Sequence, residues 1–189
     1  MAGRIEIAYV LAGGRSSRIG TDKLSLIIDG VTLLEHTTTK CAAVLDQVKL
    51  VAPKVGKLSE LSFPVVLDSP SAAGPMAGVI AAVEDCRAES CFVTAADLFD
   101  LRAEVIALLV SQYRGQQYFG LMEPLGIQPL CGIYHKSALT VLYARANQGR
   151  FGMTDAVRQM DTDSIVLPQD QWRNINTPED LASVRDYDA

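Results

Sequence analysis

The sequence predicts an α/β protein: a single domain, residues 1–189, built as three layers, α/β/α, around a mostly parallel sheet. Three observations predict it. Short runs rich in β-branched residues alternate with stretches of helical spacing. The 189 residues suit one domain, at roughly 100–200 residues each. Hydrophobic residues make up 49% and charged residues 21%, which excludes a disordered chain, a collagen and a charge-rich coiled coil.

The elements follow in order. Ile5–Leu11 reads as a buried first strand, and the loop Ala12–Lys23 follows it. Leu26–Ile28 runs into Asp29-Gly30, a turn dipeptide. Thr32–Leu45 carries Leu33, Leu34, Cys41, Val44 and Leu45 at helical spacing. Val48–Ala52 is a strand stopped by Pro53, and Pro64–Leu67 is another. Pro75–Cys86 is a helix that opens after Gly74, with Pro75 at a favoured first-turn position. Cys91–Thr94 is a strand leading to Ala95-Ala96-Asp97. Arg102–Tyr113 is an amphipathic helix, with Asp100 as its candidate N-cap. Tyr118–Met122 and Ile127–Tyr134 read as strands, Lys136–Ala146 and Thr154–Met160 as helices, and Ser164–Leu167 as a short strand. A last helix starts at Thr177, with Pro178 at its first position and Asp180 three residues on.

The charge balance narrows the function. Lys and Arg number 17 against 22 Asp and Glu, a net charge of -5. An acidic chain with 6% aromatic residues lacks both the basic face and the stacking platforms of a nucleic-acid binder. No apolar run approaches the about 18 residues that a membrane span needs, and Met1–Val10 does not read as a secretory signal. Cys41, Cys86, Cys91 and Cys131 form no C-x-x-C pair, and with only His36 and His135 beside them zinc is not expected. They read as buried, reduced thiols of a cytoplasmic protein. His36 reads as a helix-surface residue, His135 as a strand-end residue and Trp172 as a packing anchor for the last helix.

In a parallel sheet covered on both faces, ligands sit beyond the carboxyl ends of the strands. Three such ends carry unusual residues. After the first strand comes Leu11-Ala-Gly-Gly-Arg-Ser-Ser-Arg-Ile-Gly-Thr-Asp-Lys23. Gly13 and Gly14 permit close approach of a ligand, and successive backbone N–H groups can cradle phosphate oxygens. Arg15, Arg18 and Lys23 place three cations in nine residues of an acidic protein. The loop is neither a dinucleotide fingerprint nor a Walker A loop, so polyphosphate binding stands against a plain solvated loop. After the third strand comes Leu67-Asp-Ser-Pro-Ser-Ala-Ala-Gly-Pro-Met-Ala-Gly78. Asp68 ends the strand, and Gly74-Pro75 opens a helix whose N-terminus can face an anion or a base edge; the plain alternative is an ordinary connection. After the fourth comes Asp97, which fits a Mg²⁺ ligand working with phosphate oxygens and water, or a loop acid capping the next helix. Near the C-terminus, Asn174 and Asn176 flank Ile175, and their amides are free to bind a metal or a substrate oxygen.

Taken together, LAGGRSSRIGTDK, LDSPSAAGPMAG, the strand-end Asp97 and NINTPEDL resemble the molybdenum cofactor guanylyltransferase family, across nearly the whole chain and in the right order. The resemblance implies a nucleotide-diphospho-sugar transferase-like fold. It implies transfer of GMP from GTP to the phosphate of molybdopterin, with Mg²⁺ as cofactor and pyrophosphate as second product. It places Leu11, Ala12, Gly13 and Gly14 along the nucleotide, Lys23 at the phosphates, Asp68 near the guanosine, Asp97 on Mg²⁺ and Asn176 as second metal ligand. Arg15, Ser16, Gly74, Pro75 and Gly78 join the nucleotide-binding set, and Arg18 joins Lys23 in stabilising the departing pyrophosphate. Cofactor-insertion proteins and molybdoenzyme chaperones are the protein partners it suggests.

Two departures stand out. The family's usual Arg-Met-Gly is Arg18-Ile19-Gly20, and its Asp-x-Pro is Asp97-Leu98-Phe99. Gly14 after Gly13 favours guanine over the cytosine that the related LAAG sequences imply. The alternatives are a nucleotidyltransferase using CTP or another NTP on a different phosphorylated acceptor, and a weakly active nucleotide-binding regulatory member.

Overall fold

The computed structural model describes residues 3–13, 27–28, 30–98, 101–123 and 126–167. The first strand, β1 (Ile7–Leu11), is buried at every residue. A strand buried on both faces must lie inside a sheet covered by helices. A small antiparallel hairpin, β2 (Ile27–Ile28) and β3 (Val31–Thr32), follows around Gly30, whose φ of 81° suits a turn glycine. The main sheet continues with β4 (Gln47–Ala52), β5 (Val65–Leu67), β6 (Ser90–Ala95), β7 (Tyr118–Glu123), β8 (Gly126–His135) and β9 (Thr162–Val166). Their order across the sheet is β5-β4-β1-β6-β8-β7-β9.

The sheet is mixed but mostly parallel, as the sequence predicts. β8 alone runs against its neighbours, pairing antiparallel with β6 and with β7, while β9 pairs parallel to β7. The connection explains the reversal. Only two residues separate Glu123 from Gly126, and so short a link joins only antiparallel strands.

Among the described residues five α-helices cover the two faces: α1 (Leu33–Ala42), α2 (Pro75–Asp85), α3 (Ala103–Gln112), α4 (Ala138–Ala146) and α5 (Met153–Val157). The period-2 alternation of β1 divides the core. Ala8 and Val10 join Leu50, Phe92 and Ile133 under α1 and α3, through Leu34, Ile106 and Leu109. Ile7, Tyr9 and Leu11 join Val51, Val93 and Tyr134 under α2, α4 and α5, through Ile80, Leu142 and Val157.

Several element ends differ from expectation. α1 stops at Ala42, yet Leu45 is still buried because the turn after the helix folds it back. α1 also has a capping box, with Thr32 accepting from the Glu35 N–H and Glu35 accepting from the Thr32 N–H; the T-x-x-E signal was there to be read. α3 starts at Ala103 with Arg102 at the cap, later than a cap at Asp100 implies; Asp100 lies outside the described residues. α4 starts two residues after Lys136, and α5 ends at Val157 rather than Met160. Trp172 and the helix expected from Thr177 also lie outside the described residues. All four cysteines are buried, and none is in a disulfide. Among the described residues no helix is long and apolar enough to cross a membrane.

Candidate functional site

Three strand ends leave the sheet at one edge, and hydrogen bonds past the strands hold them in register. The Ala12 N–H donates to Val51 O at 2.7 Å, that of Asp68 to Ala52 O at 2.9 Å, and that of Ala96 to Leu11 O at 3.2 Å. The edge therefore carries Ala12-Gly13 after β1, Asp68 after β5 and Ala96-Asp97 after β6.

The glycines there are required by close packing. A Cβ on Gly13 would lie 3.0 Å from Pro53 Cδ and 3.8 Å from Asp68 Oδ2. A Cβ on Gly78 would lie 3.0 Å from Leu11 Cδ2 and 3.4 Å from Asp68 Oδ1. The Asp68 carboxylate thus lies between the end of β1 and the first turns of α2, with one oxygen toward each glycine. It is half-buried, and burial pushes its carboxyl above the ordinary carboxylate range. Gly74, in the left-handed region at φ 60°, turns the chain into α2, and Pro75 occupies its first turn. No side chain caps this helix. The Ser69 N–H donates back to Ala77 O at 3.1 Å, so the loop folds against the helix it precedes.

Asp97 is half-buried in the turn after β6. Its neighbour Ala96 is tied down by α1: the buried Thr37 hydroxyl lies 3.1 Å from Ala96 O and 3.2 Å from Leu33 O. Sequence reading missed Thr37. Its only signal was a threonine on the buried face of α1, where a polar group needs a partner.

The structure thus brings Leu11, Ala12, Gly13, Asp68, Gly74, Pro75, Gly78 and Asp97 to one edge. Gly14, Arg15, Ser16, Arg18, Lys23, Asn174 and Asn176 lie outside the described residues. As a single strand-end carboxylate, Asp97 is the kind of oxygen ligand that Mg²⁺ takes. Among the described residues no group of three or more His, Cys, Asp or Glu could hold a metal alone, and Mg²⁺ in phosphate chemistry takes one or two carboxylates, with phosphate oxygens and water completing its shell.

On the far side of Asp97 in the sheet lies a cleft of about 320 Å³, lined by residues 126–130 of β8 and by Met153 and Thr154 of α5.

A parallel sheet edge with a small-residue loop after β1, an acid against that loop and a second acid after the neighbouring strand β6 defines a nucleotide-handling α/β protein. The chain belongs to the MobA-like NTP transferase domain family, whose model matches residues 8–164. A Nostoc sp. relative named "Probable molybdenum cofactor guanylyltransferase" is 32% identical over 185 residues, covering 94% of this chain and 89% of its own. An Aquifex aeolicus relative of the same name is 28% identical over 184 residues, covering 96% and 90%. The fold matches the crystal structure of molybdopterin-guanine dinucleotide biosynthesis protein A from Archaeoglobus fulgidus, with a TM-score of 0.82, 23% identity and coverage of 96% and 97%.

Proposed function

We infer that the protein is a molybdenum cofactor guanylyltransferase. It moves GMP from GTP onto the phosphate of molybdopterin, giving the guanine dinucleotide cofactor and pyrophosphate. The observation that carries this is the convergence of Gly13, Asp68, Gly78 and Asp97 on one sheet edge in a chain of the MobA-like family.

The reaction needs alignment and charge neutralisation more than covalent help. The attacking group is an ionised phosphate, so no general base is required. Leu11, Ala12, Gly13 and Gly14 lie along the nucleotide, and Arg15 and Ser16 extend that surface. Asp68 accepts hydrogen bonds from the base edge, with Gly74, Pro75 and Gly78 shaping the pocket around it. Lys23 and Arg18 bind the β- and γ-phosphates and stabilise pyrophosphate as it leaves. Asp97 and Asn176 would hold Mg²⁺, which would supply neutralisation of phosphate charge when bound. One nucleotidyltransferase domain over residues 1–189 suffices for this. A labile pterin product favours hand-over among proteins, from an insertion enzyme and to a molybdoenzyme chaperone.

Calorimetric titration of each nucleoside triphosphate, with and without Mg²⁺, tests the reading. The expected result is preferential GTP binding strengthened by Mg²⁺, followed by GMP transfer to molybdopterin. A preference for CTP would overturn the base assignment. Asp97→Ala should keep its melting temperature and lose Mg²⁺-dependent turnover; a fully active variant would remove Asp97 from the metal.

A further inference from the structure

The β7–β8 ladder is broken beside the site. Gly120 pairs with Gly132, but the next residue, Leu121, pairs with Gln128. The β7 register thus skips three residues of β8, Pro129 to Cys131. On the other side the β6 ladder ends at Cys131, opposite Thr94. Pro129 and Leu130 are therefore paired with neither strand. A bulge of this kind needs other partners for its backbone groups.

Two tyrosines supply them. The Tyr118 hydroxyl donates to Gln128 O at 2.5 Å and lies 3.1 Å from Cys131 O. The Tyr134 hydroxyl donates to Pro129 O at 2.6 Å. Both residues are fully buried, and their rings pack with centroids 4.7 Å apart. The paired glycines make room: a Cβ on Gly132 would lie 2.6 Å from the Tyr118 hydroxyl, and one on Gly120 would collide with it. The Gln128 side chain completes the set by accepting from the Leu130 N–H at 3.2 Å. The bulge is thus held in one shape before any ligand arrives, and residues 126–130 form the wall of the 320 Å³ cleft.

Its place in the sheet says what it faces. Gly13 and Asp68 follow β1 and β5, Asp97 follows β6, and β8 comes next in order. Displacement in line at the α-phosphorus puts the attacking oxygen opposite the leaving one. With the nucleotide over β1 and β5 and the metal ligand on β6, the acceptor approaches from the β8 side. The half-buried Ile127 and Leu130 pack on the same apolar layer as Ala72 of the Asp68–Gly78 segment, so cleft and nucleotide edge share a face. A wall that mixes the apolar Ile127, Pro129 and Leu130 with Gln128 and fixed backbone groups suits a flat heterocycle with a hydrogen-bonding rim.

We propose that Tyr118 and Tyr134 are positioning residues for the acceptor, holding the Gln128–Cys131 bulge as the wall against which its pterin ring lies. This rests on the guanylyltransferase reading. The test measures KM for molybdopterin and for GTP in Tyr118→Phe and Tyr134→Phe, which keep the rings and remove one hydroxyl each. The KM for molybdopterin should rise roughly five- to tenfold, the worth of one hydrogen bond, with the KM for GTP within about twofold. Thr154→Phe fills the cleft from α5 without touching either tyrosine, and should show the same split if the tyrosine variants fold poorly. Parallel changes in both KM values, or none, overturn the proposal while leaving the functional reading intact. A wild-type protein that moves no GMP from GTP to molybdopterin overturns the functional reading and this proposal with it.

Discussion

Asp68 shows how much one carboxylate's surroundings decide. Burial raises its pKa, so the folded protein holds its proton more tightly than the unfolded chain does. By linkage the group favours folding at low pH and works against it as pH rises through the folded value. On the proposed function binding runs the other way, because the ionised carboxylate accepts from a guanine edge with both oxygens, whereas protonation turns one of them into a donor. GTP affinity should therefore fall with acid over a range above the ordinary Asp value of about 4. Measured as Kd against pH, that acid limb should flatten in Asp68→Asn; an unchanged limb would remove Asp68 from the base pocket. Asp97 was legible because an acid at the end of a buried strand is conspicuous, and Asp68 because it ends a strand ahead of the Gly74-Pro75 helix start. Thr37 was not, because its partner Ala96 lies 59 residues away and meets it only once α1 packs on the sheet.

At the scale of elements, α2 links the site to the core. Its start was legible from Gly74-Pro75, the left-handed cap followed by a residue that needs no N–H there. Its far end was not. Asp85 Oδ2 accepts from the Tyr9 hydroxyl at 2.6 Å and from Lys49 Nζ at 2.7 Å, fastening α2 to β1 and β4. Burial by itself raises the Asp85 carboxyl, but the hydrogen bonds from Lys49 and Tyr9 outweigh it and hold the pKa low. That stabilisation is present above the unfolded pKa and fades as pH falls through the folded one. Asp85→Ala should leave the buried Tyr9 hydroxyl unpaired and cost about 1–3 kcal/mol in chemical denaturation. Turnover per folded molecule should persist, because this end of α2 lies away from the strand-end edge. A variant as stable as the parent would make the three-residue cluster incidental.

Across the whole molecule, burial governs the thiols. Cys41, Cys91 and Cys131 are 0% exposed and Cys86 is 3% exposed. Burial pushes the Cys41 thiol up to about 12. The hydrogen bond with Cys91 holds Cys86 down to about 7, against its own burial. A thiol-reactive aromatic disulfide should therefore modify none of the four quickly in the native protein and all four in denaturant. Cys86 should react first on partial opening. Fast native labelling of any cysteine, followed by mass spectrometry, would contradict the packing.

The alternation of buried strands with helical stretches determined the layered α/β architecture, because periodicity and β-branched runs are local properties of the chain. Strand-end acids and glycines likewise marked Gly13, Asp68, Gly78 and Asp97, which the fold brings to one edge. Tertiary structure alone decided the rest. The Thr37 tether, the Tyr9–Asp85–Lys49 cluster and the tyrosine-held bulge each join residues that are apart in the sequence. Such contacts exist only after the sheet has set its order, since no local spacing encodes which carbonyl a distant hydroxyl will meet.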